Sequence, residues 1–174
     1  MKILKRILNL GCGEDLSYGT HFVDLYPVNK KVIKVDLCKD RFPFPDNYFD
    51  EVYANWILEH IANPAHLLKE SHRVLKKHGR IMIVTDNAGF WGIFSEVHQG
   101  LYEKINNDRR PDDRHYHIFT PQHLRNWLEL FGFKSIKVSY MMTENIVLWQ
   151  KIIAVLFSLI NYKLYPSLKA TAWK

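Results

Sequence analysis

A glycine turn and two aspartates stand at the ends of three short apolar runs near the start of the chain. The turn is Gly11-Cys12-Gly13, and it directly follows the run that ends in Leu8-Asn9-Leu10. Glycines there let the backbone approach a ligand where a Cβ would block it. Asp24 ends the second run, at a distance suited to accepting hydrogen bonds from a ribose diol, and Asp36 ends the third. The pattern indicates a ligand site beyond the ends of parallel strands.

A second polar cluster, residues 112–117, resembles a metal site at first sight. It holds His115 and His117 at His-x-His spacing with carboxylates nearby. The cluster lacks a second pair of residues at ligand spacing, so we expect no metal. We interpret these residues as polar groups near a binding pocket, with metal binding as the alternative.

Alternating apolar runs and helical patterns predict the elements that position these residues. Six runs are typical of buried strands: 6–10, 21–26, 31–37, 49–54, 80–85 and 133–140. One helix is expected from the cap candidate Asn63 to Gly79, and another from Thr120 to Gly132. This order predicts an α/β fold with a mostly parallel, Rossmann-like sheet.

The connection between the first two strands is unusually short. Only Glu14 to Gly19 separate the glycine turn from the second strand, whereas a helical crossover needs at least about ten residues. We therefore expect the first crossover helix to be reduced to a turn, which leaves one sheet face more open. Because a dinucleotide pyrophosphate needs a helix N-terminus, this loss argues against an NAD enzyme.

Two segments break the alternation. Residues 88–119 are aromatic and polar together, and they predict a lid or acceptor-binding insertion. Within residues 143–174, the stretch 143–161 predicts a helix that is apolar over most of its circumference. Its narrow polar side holds Gln150, Lys151, Ala154, Ser158 and Asn161. We favour packing of this helix on the open sheet face, or dimerisation, over peripheral membrane contact.

Composition bounds the class of protein. The 174 residues suit one domain, taken as 1–174. The net charge of +6 favours anionic partners, but basic and aromatic residues do not alternate along a groove, so nucleic acid is not an expected partner. Two cysteines and no visible signal peptide predict a cytoplasmic protein, with peripheral membrane contact left open.

Four motifs occur in an order typical of one enzyme family. They are Leu8-Asn9-Leu10-Gly11-Cys12-Gly13, Phe42-Pro43-Phe44-Pro45-Asp46-Asn47-Tyr48-Phe49-Asp50, Leu58-Glu59-His60, and Arg73-Val74-Leu75-Lys76-Lys77-His78-Gly79. With them the chain resembles the class I S-adenosylmethionine-dependent methyltransferases of the UbiE-like type 11 group, over residues 6–87 and again over 117–138. The resemblance implies S-adenosylmethionine as cofactor and S-adenosylhomocysteine as product.

The resemblance also implies where the cofactor lies. The glycine turn would face its methionine part, Asp24 would hold the ribose hydroxyls, and Asp36 would lie along the adenine. Trp56, just past the fourth strand, would flank the sulfonium. The complete expected set is Asn9, Gly11, Cys12, Gly13, Asp24, Leu25, Asp36, Leu37, Asn55 and Trp56.

Methyl transfer from a sulfonium is a direct displacement on carbon, so the protein mainly aligns the reactants. An acceptor oxygen or amine that is protonated at neutral pH also needs a base, and the histidine pKa near 6.5 suits that task. The expected catalytic residues are His60, His117 and Asp86, with His115 as a further candidate.

We therefore expect a methyltransferase acting on a small-molecule, glycan or lipid-linked acceptor. The alternative is a methyltransferase-like module that has lost catalysis and serves in binding or at a membrane surface. The missing first helix motivates this alternative, as do Glu14 and Asp15, which follow Gly13 where the family usually has a small residue.

Overall fold

The computed structural model describes residues 5–90, 115–142, 148–159 and 163–174. Its seven strands are β1 (Ile7–Leu10), β2 (His21–Asp24), β3 (Val32–Lys34), β4 (Phe49–Asn55), β5 (Leu75–Asp86), β6 (Lys134–Met141) and β7 (Ser167–Trp173). They form one sheet in the order β3-β2-β1-β4-β5-β7-β6. The first five strands are parallel, and β7 lies antiparallel between β5 and β6. The predicted mostly parallel α/β sheet is confirmed.

Strand β7 corrects the prediction that residues 143–174 form only a helix and a tail. Leu168, Ala170 and Ala172 alternate along it and are buried, whereas Lys169 between them is exposed. This period of two is the strand signature. Two of the three buried residues are alanines, so the apolar pattern is weak in the sequence.

In the described part of the chain, the sheet is accompanied by the helices α1 (Pro64–Val74), α2 (Pro121–Leu130) and α3 (Leu148–Ser158) and by a 3₁₀ turn at Leu58–His60. The predicted caps are confirmed, since the side chains of Asn63 and Thr120 accept backbone hydrogen bonds at the starts of α1 and α2. A proline follows each cap, where its missing N–H costs nothing.

Helix α1 ends at Val74, five residues before the predicted stop at Gly79. Leu75 already pairs with Phe49 in the sheet. The Lys174 ammonium donates to the carbonyl oxygens of Arg73 and Leu75, at 3.3 and 2.8 Å. Helix-end carbonyls need such donors. The residue that caps α1 therefore comes from the far end of the chain, which local helical spacing could not reveal.

The two faces of the sheet are covered differently. On one face, strand residues such as Leu8 and Phe49 pack in one core with Leu68 of α1 and Leu128 of α2. On the other face, no helix joins β1 to β2 in the described residues, which confirms the reduced first crossover. A polar group replaces it, in which the Tyr18 hydroxyl donates to the buried Glu51 carboxylate.

Helix α3 does not pack on that open face, so the expected packing was wrong, while dimerisation through this helix stays a prediction. Its buried residue, Ala154, contacts Phe90 and Leu164 instead. The separate cluster on the open face consists of Cys12, Phe22, Val32 and Leu16. No helix in the described ranges is long and apolar enough to cross a membrane. Most of the predicted lid, 91–114, lies outside the described residues.

Candidate active site

A pocket of about 260 Å³ opens where the parallel strands end. Ligands of such sheets bind beyond the carboxyl ends of the strands, in pockets of roughly 300 Å³ and more. The wall is formed by the turns after β1, β2, β3 and β4 and by one residue that precedes α2. These residues are Gly11, Asp24, Leu25, Tyr26, Val35, Asp36, Leu37, Cys38, Trp56, Ile57, His60, Ile61, Ala62 and Tyr116.

The glycine turn sets the shape of one wall. Gly11 and Gly13 both have positive φ, 61° and 54°, a conformation that side chains disfavour. A Cβ on Gly11 would overlap the side chain of Ile57, which lines the same pocket. The glycine is therefore needed to seat Ile57 as well as to make the turn.

Asp24 is held rigidly at the end of β2. Its Oδ2 accepts from the Gly13 N–H and its Oδ1 from the Tyr26 N–H, both at 2.8 Å. Each carboxylate oxygen has lone pairs for more than one hydrogen bond. Asp24 can therefore accept further bonds from ligand hydroxyls in the pocket without losing its own anchoring.

Asp36, after β3, presents a second fixed carboxylate. Its Oδ1 accepts from the Cys38 N–H at 2.9 Å, and its Oδ2 lies 3.2 Å from the Lys39 ammonium. Burial by itself would raise the pKa of Asp36, but the Cys38 N–H and the Lys39 charge outweigh it and hold the pKa below its ordinary value. The group is a carboxylate at neutral pH.

Trp56 stands just past β4 in a left-handed conformation, with φ 53°. Its N–H donates to the Val84 carbonyl oxygen at 3.0 Å, which continues the pairing of β4 with β5. A bulky residue in this region costs about 1 kcal/mol or more, and such strain clusters at ligand sites. Trp56 thus lies in the pocket wall in a strained backbone conformation.

Six of the ten expected cofactor residues line the pocket, and the other four, Asn9, Cys12, Gly13 and Asn55, do not. The Asn9 amide donates to the Tyr18 carbonyl oxygen, and Cys12 is buried against Phe22 and Val32. The Gly13 N–H donates to the Asp24 carboxylate, and Asn55 pairs with Val84 in the sheet. Direct contact of these four with a cofactor stays a prediction.

The expected catalytic residues separate into two places. His60 lines the pocket, and its ring meets the His115 ring edge-on with centroids 4.5 Å apart. Behind it, His115 Nδ1 lies 3.0 Å from Oδ2 of the buried Asp86. His117 does not line the pocket, and its Nε2 is buried without a hydrogen-bond partner among the described residues. The structure thus joins Asp86, His115 and His60 and leaves His117 outside the pocket wall.

Glu59, which sequence reasoning treated only as part of a motif, is the buried acid next to this group. Only 1% of it is exposed, and its Oε2 accepts from the Thr85 hydroxyl at 2.8 Å. Burial raises the pKa of Glu59 to about 7, and the nearby Asp86 charge adds to the rise. The backbone carbonyl oxygen of Glu59 also accepts from the Tyr116 and His117 N–H groups. One glutamate between apolar residues at 57, 58 and 61 was the available signal.

Tyr116 and Ile57 are two further wall residues that the sequence did not single out. No group of three or more metal-binding side chains was found among the described residues. Part of the polar cluster, 112–114, lies outside them. The described site is therefore a pocket with two carboxylates on one side and a histidine with apolar residues on the other.

Comparison with known proteins gives the site a context. A family model described as a methyltransferase domain, Methyltransf_23, matches residues 3–138. An uncharacterized protein of Methanocaldococcus jannaschii is 32% identical over 112 residues, which cover 63% of this chain and 51% of that protein. The ubiquinone/menaquinone biosynthesis C-methyltransferase UbiE of Cupriavidus metallidurans is 41% identical over 59 residues, 33% of this chain and 24% of UbiE. The matches span about half and a quarter of these relatives.

Among solved structures, phosphoethanolamine N-methyltransferase 2 of Haemonchus contortus, in complex with S-adenosyl-L-methionine, has a similar fold. The TM-score is 0.65 at 18% identity, and the match covers 100% of this chain and 49% of that one. At this identity the likeness concerns the fold alone.

Proposed function

The chain belongs to the Methyltransf_23 family of methyltransferase domains, and we propose that it transfers a methyl group from S-adenosylmethionine to an acceptor in the described pocket. The observation that carries the proposal is the meeting of Asp24, Asp36 and Trp56 in one pocket at the carboxyl edge of the sheet. The family match and the cofactor of the similar-fold Haemonchus enzyme support it.

The residues present fit this cofactor. Asp24 offers acceptors for the ribose hydroxyls, and Asp36 with Leu37 would lie along the adenine. Lys39 already balances the negative charge of Asp36, so an uncharged adenine can lie beside this carboxylate. When bound, the cofactor supplies an activated methyl group on a sulfonium sulfur. Trp56 would cover that side of the pocket, and the apolar Ile57 would exclude water from it.

We place the acceptor on the His60 side of the pocket. Its walls there are the apolar or aromatic residues Ile57, Ile61, Ala62 and Tyr116. Such walls suit an apolar ring or chain better than a glycan, so we propose a small-molecule or lipid-linked acceptor. The match to UbiE, which is named for a quinone pathway, agrees with this class.

His60 would accept the acceptor proton, because it is the histidine of the wall on that side. His115 would hold the His60 ring in place by its edge-on contact, and its own Nδ1 lies 3.0 Å from the Asp86 carboxylate. His115 and Asp86 are thus positioning residues. His117 remains an untested alternative base.

We further propose that residues 1–174 form one domain and that the protein works in the cytoplasm. Strands near both ends of the chain share one sheet, and neither Cys12 nor Cys38 forms a disulfide, which suits a reducing compartment.

Replacing His60 by glutamine should lower the methyl-transfer rate by about 100-fold and flatten its pH dependence, because a positioned base contributes about that factor. The formation of S-adenosylhomocysteine would be measured with quinol, phenol and lipid acceptors. Glycans would be tested in the same way, as the alternative class of acceptor. Affinity for S-adenosylhomocysteine itself should change little. The exposed His123 on α2 provides the matched control, His123→Gln.

Unchanged rates and pH profile in His60→Gln would remove the base assignment. Release of product with none of the acceptors, although the cofactor binds, would instead favour the catalytically inactive module.

A further inference from the structure

The outer surface of α3 is the largest group of exposed apolar side chains on one described element. We call it the α3 face, and its residues are each more than half exposed: Leu148, Trp149, Ile152, Val155, Leu156 and Leu159. At the α-helical rotation of about 100° per residue, the five that lie within α3 fall within an arc of about 120°, and Leu159 directly follows the helix. Ala154, the buried residue, lies on the opposite side. The helix therefore attaches through Ala154 and the half-buried Ile153 and turns most of its other large apolar residues outward.

This orientation reverses the usual amphipathic arrangement, in which the apolar stripe faces the core. An exposed apolar patch of this kind marks a surface that contacts something else. Across residues 148–158 the chain has no acidic residue. Lys151 lies at the border of the face, and the exposed Lys163 follows the helix. Apolar residues flanked by lysines suit an interface with anionic headgroups.

A second copy of the chain is the competing occupant, and the size of the face argues against it. The face has six side chains on each copy, whereas a standard interface uses about 20–30 residues a side. A stable dimer buries about 800 Å² per partner. Binding to a lipid surface does not require an interface of that size. An interfacial helix buries its apolar side in the headgroup region, and its lysines stay at the headgroups.

The connections to α3 start from the same edge of the sheet as the pocket. Along the chain it lies between β6, which ends at Met141, and β7, which starts at Ser167. Met141 pairs with Ser167, and Ser167 pairs with Asp86, so both connections leave the sheet at the edge that carries the pocket. We propose that the α3 face docks on an anionic lipid surface and brings the acceptor side of the pocket to it. The delivery of a lipid acceptor rests on the proposed function; the docking does not.

Flotation of the full chain with vesicles tests the docking. The vesicles contain either phosphatidylcholine alone or equal parts phosphatidylcholine and phosphatidylglycerol. We expect the unaltered protein to float with the anionic vesicles and at least tenfold less with the neutral ones. Leu156→Glu, and separately Ile152→Glu, should lower the anionic partition at least tenfold. Leu130→Glu places the same charge on an exposed leucine of α2 and should change nothing.

Light scattering and S-adenosylhomocysteine binding accompany the flotation. Equal flotation of Leu156→Glu and the unaltered protein, or none by either, would overturn the proposal. So would a dimer that Leu156→Glu dissociates in the absence of vesicle binding. Failure of the unaltered protein to bind S-adenosylhomocysteine would count against the proposed function alone, because docking needs no cofactor.

Discussion

Asp24→Ala should weaken S-adenosylhomocysteine binding by at least about 100-fold, because the side chain would hold two ribose hydroxyls and hydrogen bonds to a charged group contribute about 1.5–3 kcal/mol each. The loss also releases the Gly13 and Tyr26 N–H groups, which Asp24 now holds at 2.8 Å. Titration calorimetry measures the affinity, and circular dichroism reports whether the sheet persists.

Asp15→Ala is the matched control. Asp15 accepts from the Ser17 N–H two residues on, as Asp24 does from Tyr26, but Asp15 does not line the pocket. It should bind S-adenosylhomocysteine as the unaltered protein does. Similar affinities in Asp24→Ala and Asp15→Ala would show that Asp24 does not contact the cofactor.

Glu59→Gln should make the protein more stable at alkaline pH and leave its stability nearly unchanged at acidic pH. Near pH 4.5, the ordinary carboxyl pKa, Glu59 starts to ionise in the unfolded chain, while the folded chain keeps its proton until about pH 7. A pKa raised in the folded state means that stability is present at low pH and is lost as the pH rises between these values. The difference corresponds to about 3 kcal/mol.

Urea unfolding near pH 4.5 and well above pH 7 measures this effect. The free energy of unfolding of the unaltered protein should fall by about 3 kcal/mol more than that of Glu59→Gln across the interval. Glu129→Gln, at an exposed glutamate of α2, should follow the unaltered protein. If Glu59→Gln also follows it at both pH values, Glu59 is ionised in the folded chain and the assigned proton is absent.

The sequence predicted the parts of the fold that depend on local pattern. Apolar runs located the first six strands, and the caps at Asn63 and Thr120 located the helix starts, because a cap needs only its own neighbours. The short connection after Gly13 correctly predicted the lost crossover helix, since chain length alone excludes it. Asp24 and Asp36 were expected in one pocket because parallel strand ends share an edge.

What the sequence missed depends on contacts between distant segments. The last carbonyls of α1 accept from Lys174, a hundred residues further on, and from the backbone of Asn47 and Tyr48. Strand β7 is hidden by its alanines, and the outward orientation of α3 follows from Ala154 meeting Phe90 and Leu164. The raised pKa of Glu59 arises from burial that only the assembled sheet creates. Apart from the weak period of two in β7, none of these features shows in the periodicity of the chain.

The function proposed for this protein requires that the carboxyl edge of its sheet binds S-adenosylmethionine. A crystal structure of the unaltered protein grown with S-adenosylhomocysteine tests this binding. We predict one bound molecule, its ribose hydroxyls within hydrogen-bond distance of Asp24, its adenine beside Asp36 and Leu37, and its sulfur on the Trp56 and His60 side. Binding elsewhere on the protein, or no binding under conditions that saturate a related methyltransferase, would contradict the claim.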